Sequence, residues 1–151
     1  MGVTAFLVTL LMRRDLTLAD YWTLMHCWAL LLQADLALRL LPFSLLQRLA
    51  GSGVRVRHRS PEAAAAEVRR LDRLVRIAAR RHLYPMTCLR RSLVLQWLLG
   101  RAGIPVELKL GVRREAQGIS AHAWIEYRGE PVGEPEGIEQ YARLQVPGKS
   151  P

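Results

Sequence analysis

The most constraining feature of the chain is a change of hydrophobic rhythm at Gly103. Before it, apolar side chains recur at the spacing of helices; after it, they alternate at the spacing of strands. Leu18 to Leu41 is rich in Leu, Ala, Met and Trp, with Asp15 or Thr17 available as a cap. Pro42 should break this helix and leave a short second one over Leu45–Ala50. Ser60-Pro61-Glu62 opens another: serine caps, proline takes the first position, and glutamate meets the positive helix end. Its apolar face is Val68, Leu71, Val75, Ala78 and Ala79, and Arg69, Arg73, Arg76 and Arg80 form a basic stripe. Pro85 ends it, Thr87 caps the next, and Cys88 falls in the first turn.

Beyond Gly103 the spacing predicts strands over Ile104–Val112 and Ile119–Tyr127, a turn at Arg128-Gly129-Glu130, and a third short strand from Pro131 to Glu134. Helices followed by a small antiparallel sheet make an α+β fold. Gly51-Ser52-Gly53 punctuates the chain, so residues 1–53 read as an N-terminal helical region and 54–146 as the main domain. Val54–Arg59 reads as an edge strand or extended linker, and 147–151 as a disordered tail.

The net charge is +9, which favours an acidic partner. The basic region has no interleaved aromatics, which argues against a nucleic-acid binder. Two cysteines are too few for a disulfide framework and suit a reduced, cytoplasmic chain. The two Cys and four His have no four-ligand zinc spacing. The uncharged stretch Tyr21–Ala34 stops at Asp35, short of the roughly 18–20 residues that span a bilayer. The whole segment Leu18–Leu49 is too apolar to stand bare. It is expected to cover the catalytic half or to offer a patch to partners or a membrane surface.

Cys88 at a helix start and His122 on a strand, 34 residues apart, are the residues with chemistry to offer. A helix N-terminus stabilises a thiolate, and an imidazole holds the proton. A third, acidic group usually orients the imidazole; Glu134 and Glu126 are both candidates. Each residue also has a plain reading, since a lone cysteine is usually core and a lone strand histidine usually structural. Cys27 reads as core, His58 as solvated and His82 as a helix C-terminal cap. Trp22, Trp28 and Trp97 read as core or interface. Trp124 lines a substrate cleft or fills core, while Arg90 and Arg91 are candidates for contacting substrate.

The ordered series Cys88-Leu89-Arg90-Arg91-Ser92-Leu93, Leu98-Leu99, Gly103, Leu110-Gly111-Val112 and Ala121-His122-Ala123-Trp124-Ile125-Glu126 resembles the transglutaminase-like leader peptidase, the B-protein, of lasso peptide biosynthesis. The Leu-rich start ending in Leu40-Leu41-Pro42-Phe43 is similar too, so the likeness runs over about residues 10–140. The resemblance implies a papain-like or transglutaminase-like Cys–His–acid triad of Cys88, His122 and Glu134. The usual acid of that family is an aspartate, so Glu134 is one methylene longer. It also implies a split form acting with a separate leader-recognition protein, a precursor peptide as substrate, an ATP-dependent lasso cyclase as partner, and no metal or organic cofactor. Other expectations are a different Cys–His acyl transferase, such as a transglutaminase or amidase, and a non-catalytic basic binding protein.

Overall fold

A computed structural model describes residues 16–51, 59–133 and 137–144. Glu134, the 147–151 tail and all but the last residue of the 54–59 segment lie outside the described residues.

Helix α1 spans Leu18–Leu40 and starts with a reciprocal capping box: Thr17 Oγ1 accepts from the Asp20 N–H, and the Asp20 carboxylate accepts from the Thr17 N–H. Asp35 is buried along it. Helix α2 spans Phe43–Gly51, two residues earlier than the proline rule suggests, because proline is tolerated just before a helix as well as just after one. Helix α3 is Pro61–Arg80, with Ser60 as the cap and proline in the first turn. Helix α4 is Cys88–Arg101, capped by Thr87.

Strand β1 covers Glu107–Glu115 and β2 covers Gly118–Tyr127, paired antiparallel so that Gly111 faces His122 and Leu110 faces Ala123. β1 begins three residues later than the alternation predicts. The N–H of Ile104 is used by the Leu99 carbonyl at 2.9 Å, and Pro105 has no N–H to give a ladder. The β2–β3 turn places Arg128 and Gly129 both at positive φ, 53° and 82°, the geometry of a tight two-residue hairpin. β3 is Glu130–Pro131, and a fourth strand, β4 (Ala142–Arg143), pairs with β1. The sheet order is β3-β2-β1-β4. β4 has no counterpart in the sequence reading, since two residues are too few to show alternation.

One core joins the layers. Leu24, Cys27 and Leu31 of α1 meet Val68, Leu71, Leu74, Val75 and Ala78 of α3, Leu93, Val94, Leu95 and Leu99 of α4, and Leu108, Ala123 and Ile125 from the sheet. The apolar face expected of α3 is the buried face. Cys27 is core, as expected. Trp22 is not; it stands on the surface. The side chain of His82 does not cap a helix. Its ring stacks on Trp28, with centroids 4.7 Å apart, and meets Tyr84 edge-on at 5.2 Å. Burial holds its imidazole below the ordinary histidine value.

Candidate active site

Thr87 takes the N-cap of α4 because its hydroxyl accepts from the Arg90 N–H. Cys88 therefore occupies the first helical position, where backbone N–H groups have no partner inside the helix. One turn on, Ser92 is buried and donates its hydroxyl to the Ala123 carbonyl at 3.2 Å. That bond ties the helix carrying Cys88 to the strand carrying His122, next to the histidine itself.

Between these elements lies a cavity of about 150 Å³. Its walls are Cys88, Arg91, Ser92 and Leu95 from α4, Asp72, Val75 and Arg76 from α3, His122, Ala123, Trp124 and Ile125 from β2, and Val132 and Gly133 beyond β3. The thiol and the imidazole, remote in sequence, thus share one cavity. Cys88 is half-buried and not in a disulfide, and so is open to a reactant.

The His122 ring lies near-parallel to Trp124, with centroids 6.2 Å apart, and beside Tyr141 at 5.4 Å. Burial, and after it the Arg91 guanidinium, hold the His122 imidazole below its ordinary value, because both disfavour the charged ring. Trp124 is buried and lines the cavity, and its indole N–H donates to Glu126 at 3.1 Å. Glu126 is bonded to Trp124 and ion-paired with Arg143 at 2.8 Å, so it holds the tryptophan and closes β4 onto the sheet. Such an arrangement gives this alternative acid a structural task away from His122.

The two arginines diverge. Arg91 lines the cavity. Arg90, expected at the substrate, instead reaches back to α1, where it pairs with Asp35 and lies 5.9 Å from the centre of the Tyr84 ring. Asp35 also accepts from the Tyr84 hydroxyl at 2.6 Å and from Arg39 at 3.1 Å.

Asp72 is the wall residue that sequence reasoning missed. Burial pushes its carboxyl up, opposed by Arg76 at 2.7 Å and by Arg91. Gly133 (φ 83°) packs on this pair: a Cβ there would stand 3.3 Å from Asp72 Oδ2 and 3.4 Å from an Arg76 nitrogen. The i,i+4 spacing of Asp72 and Arg76 was the available signal; it marks a helix-surface pair, not a cavity wall. Arg76 of the basic stripe is accordingly engaged here. Among the described residues, no group of three or more His, Cys, Asp or Glu side chains is placed to hold a metal ion.

A thiol on a helix start and an imidazole on an antiparallel sheet, within an α+β fold, form an arrangement that suits cysteine-dependent acyl transfer. Residues 28–146 match the Transglutaminase-like superfamily, and the chain belongs to it. Cysteine peptidases and transglutaminases are the usual activities of that superfamily. No curated protein and no solved structure matches the chain.

Proposed function

We propose that this chain is a cysteine peptidase that removes the leader from a lasso precursor peptide. What carries the reading is that Cys88, at the first position of α4, and His122, on β2, line one cavity. The leader-peptide assignment is supported by the ordered motif series from Cys88 to Glu126.

In this reading the Cys88 thiol gives its proton to His122, and the thiolate attacks the scissile carbonyl carbon. The backbone N–H of Cys88, without a partner inside the helix at its first position, donates a hydrogen bond to the developing oxyanion. The carbon–nitrogen bond breaks, His122 returns the proton to the leaving amine of the core peptide, and the leader remains as a thioester on Cys88. Water, deprotonated by His122, then releases the leader as a carboxylate. Glu134 takes the role of the third, orienting group. Trp124 and Arg91 bound the substrate cleft. A separate leader-recognition protein brings the precursor, and an ATP-dependent lasso cyclase takes the freed amine. The setting is cytoplasmic.

The test is to incubate the chain with a matched precursor and the leader-recognition protein, and to weigh the products. Hydrolysis gives leader plus core, each fragment at its own mass with one water added in total. A leader carrying an added amine would show transfer by a transglutaminase-type acyl transferase. An intact precursor from an otherwise competent mixture would remove the peptidase reading.

A further inference from the structure

Among the described residues, one face of helix α1 stays exposed. Leu18 is 82% exposed, Trp22 77%, Met25 46%, Leu32 40% and Leu36 56%. With the half-buried Ala29 these residues follow one another in steps of 4, 3, 4, 3 and 4. That is the strict two-in-seven spacing of a coiled-coil seam, narrower than the face a helix turns to its own core. The inward face of α1 is already used, through Leu24, Cys27 and Leu31.

The order of residues along the seam is self-complementary. In an antiparallel helix pair related by a two-fold axis, the two seam positions of each heptad pack against one another across the interface. An axis at the level of residue 27 sets Leu18 against Leu36, Trp22 against Leu32, and Met25 against Ala29, and each contact occurs twice. All six seam residues find an apolar partner in this register, and the longest side chain near the axis meets the smallest.

Charge points the same way. From Leu16 to Leu38 there is no Lys or Arg, and both acids, Asp20 and Asp35, are buried on the inner side. An amphipathic helix for an anionic membrane carries basic residues on its polar face, and this one carries none over that length. An uncharged seam lets two copies of a +9 chain approach without placing like charges in contact. Fully buried, the five large side chains would remove on the order of 600 Å² per copy from water, the low end of the roughly 600–1,000 Å² per partner of a standard interface. Leu40, one turn beyond Leu36 on the same face, is also exposed.

We infer that α1 is the interface of a two-fold homodimer in which two copies pack antiparallel along Leu18–Leu36. The cavity of Cys88 and His122 lies among α3, α4 and the sheet, so the dimer leaves both cavities free. The inference stands independently of the proposed reaction.

The test uses the full chain. Light scattering after size exclusion should give about twice the 17.1 kDa chain mass, and Leu36→Glu or Trp22→Glu should return it to the single-chain mass with helix content retained. In a Cys88→Ser background, which leaves only the buried Cys27, oxidation of a mixture of Trp22→Cys and Leu32→Cys chains should give a crosslinked dimer of one of each. Crosslinking of Trp22→Cys to itself would show a parallel pair and overturn the register. A single-chain mass at every concentration overturns the dimer, as does a chain that stays monomeric and sediments with phosphatidylglycerol vesicles.

Discussion

Ser92 Oγ donates to the Ala123 carbonyl at 3.2 Å, and this one buried bond joins the helix that carries Cys88 to the strand that carries His122. Ser92 lies one turn after the cysteine and Ala123 lies directly after the histidine, so the bond sets the distance between two groups that no local sequence preference relates. Ser92→Ala is expected to cost about 1 kcal/mol of stability, the usual net worth of such a bond. Denaturant unfolding measures it. If the proposed function holds, precursor cleavage should fall by a larger factor than stability alone explains, because a reacting pair displaced by 1 Å loses about 100-fold.

Cys88→Ala and His122→Ala are each expected to lower precursor cleavage by about 10³-fold or more, without loss of fold. Single-turnover cleavage with the leader-recognition protein present measures this. Either variant cleaving at the parent rate refutes the assigned roles.

The two thiols should differ in reactivity. Burial pushes the Cys27 thiol up to about 12, so it stays protonated and enclosed at pH 8. Cys88 opens to the cavity. Brief iodoacetamide treatment of the folded chain should add one label, located at Cys88 by mass spectrometry of the digest. Under denaturant both thiols should react.

His122 should titrate below the ordinary 6.5, first because it is desolvated and then because Arg91 opposes its charge. The unfolded chain therefore binds this proton more readily than the folded one. Stability contributed by the neutral ring is present above about pH 6.5 and is lost as pH falls through the folded value. His82 shifts in the same direction, mainly through burial. Imidazole proton shifts followed by NMR should place both midpoints low, and Arg91→Gln should move that of His122 upward while leaving His82 in place.

Gly111 has no room for a side chain. A Cβ there would stand 2.9 Å from Tyr141 Cβ and 3.0 Å from the Trp124 ring. Gly111→Ala is expected to destabilise by about 1–3 kcal/mol, the range for overpacking a filled site. The strain should appear as increased hydrogen exchange at Ala142 and Arg143 of β4, which pair with β1 at this point.

Asp35 gathers Tyr84, Arg39 and Arg90 inside the helix layer. The Tyr84 hydroxyl, followed by the two guanidinium groups, keeps its carboxyl below the usual carboxylate value. Its contribution is therefore present above about pH 4 and lost as pH falls through the lowered folded value.

The sequence by itself determined what is local. Thr17, Ser60 and Thr87 cap their helices because a hydroxyl one to three residues ahead of free N–H groups satisfies them whatever the rest of the chain does. The change from helical to alternating spacing near Gly103 fixed the α+β order, and the position of Cys88 at a helix start followed from Thr87. Tertiary structure alone decided the long-range pairings. Arg90 and Arg91 are neighbours, yet successive helix residues point about 100° apart, so one meets Asp35 and the other lines the cavity. Asp72 became a cavity wall only when Gly133, 61 positions later, came down upon it. Trp22 stayed outside while Leu24 and Cys27 went in, because burial depends on which side of α1 faces α3 and α4. Periodicity shows that a helix has an apolar side; it takes the partner layer to choose which apolar side is covered.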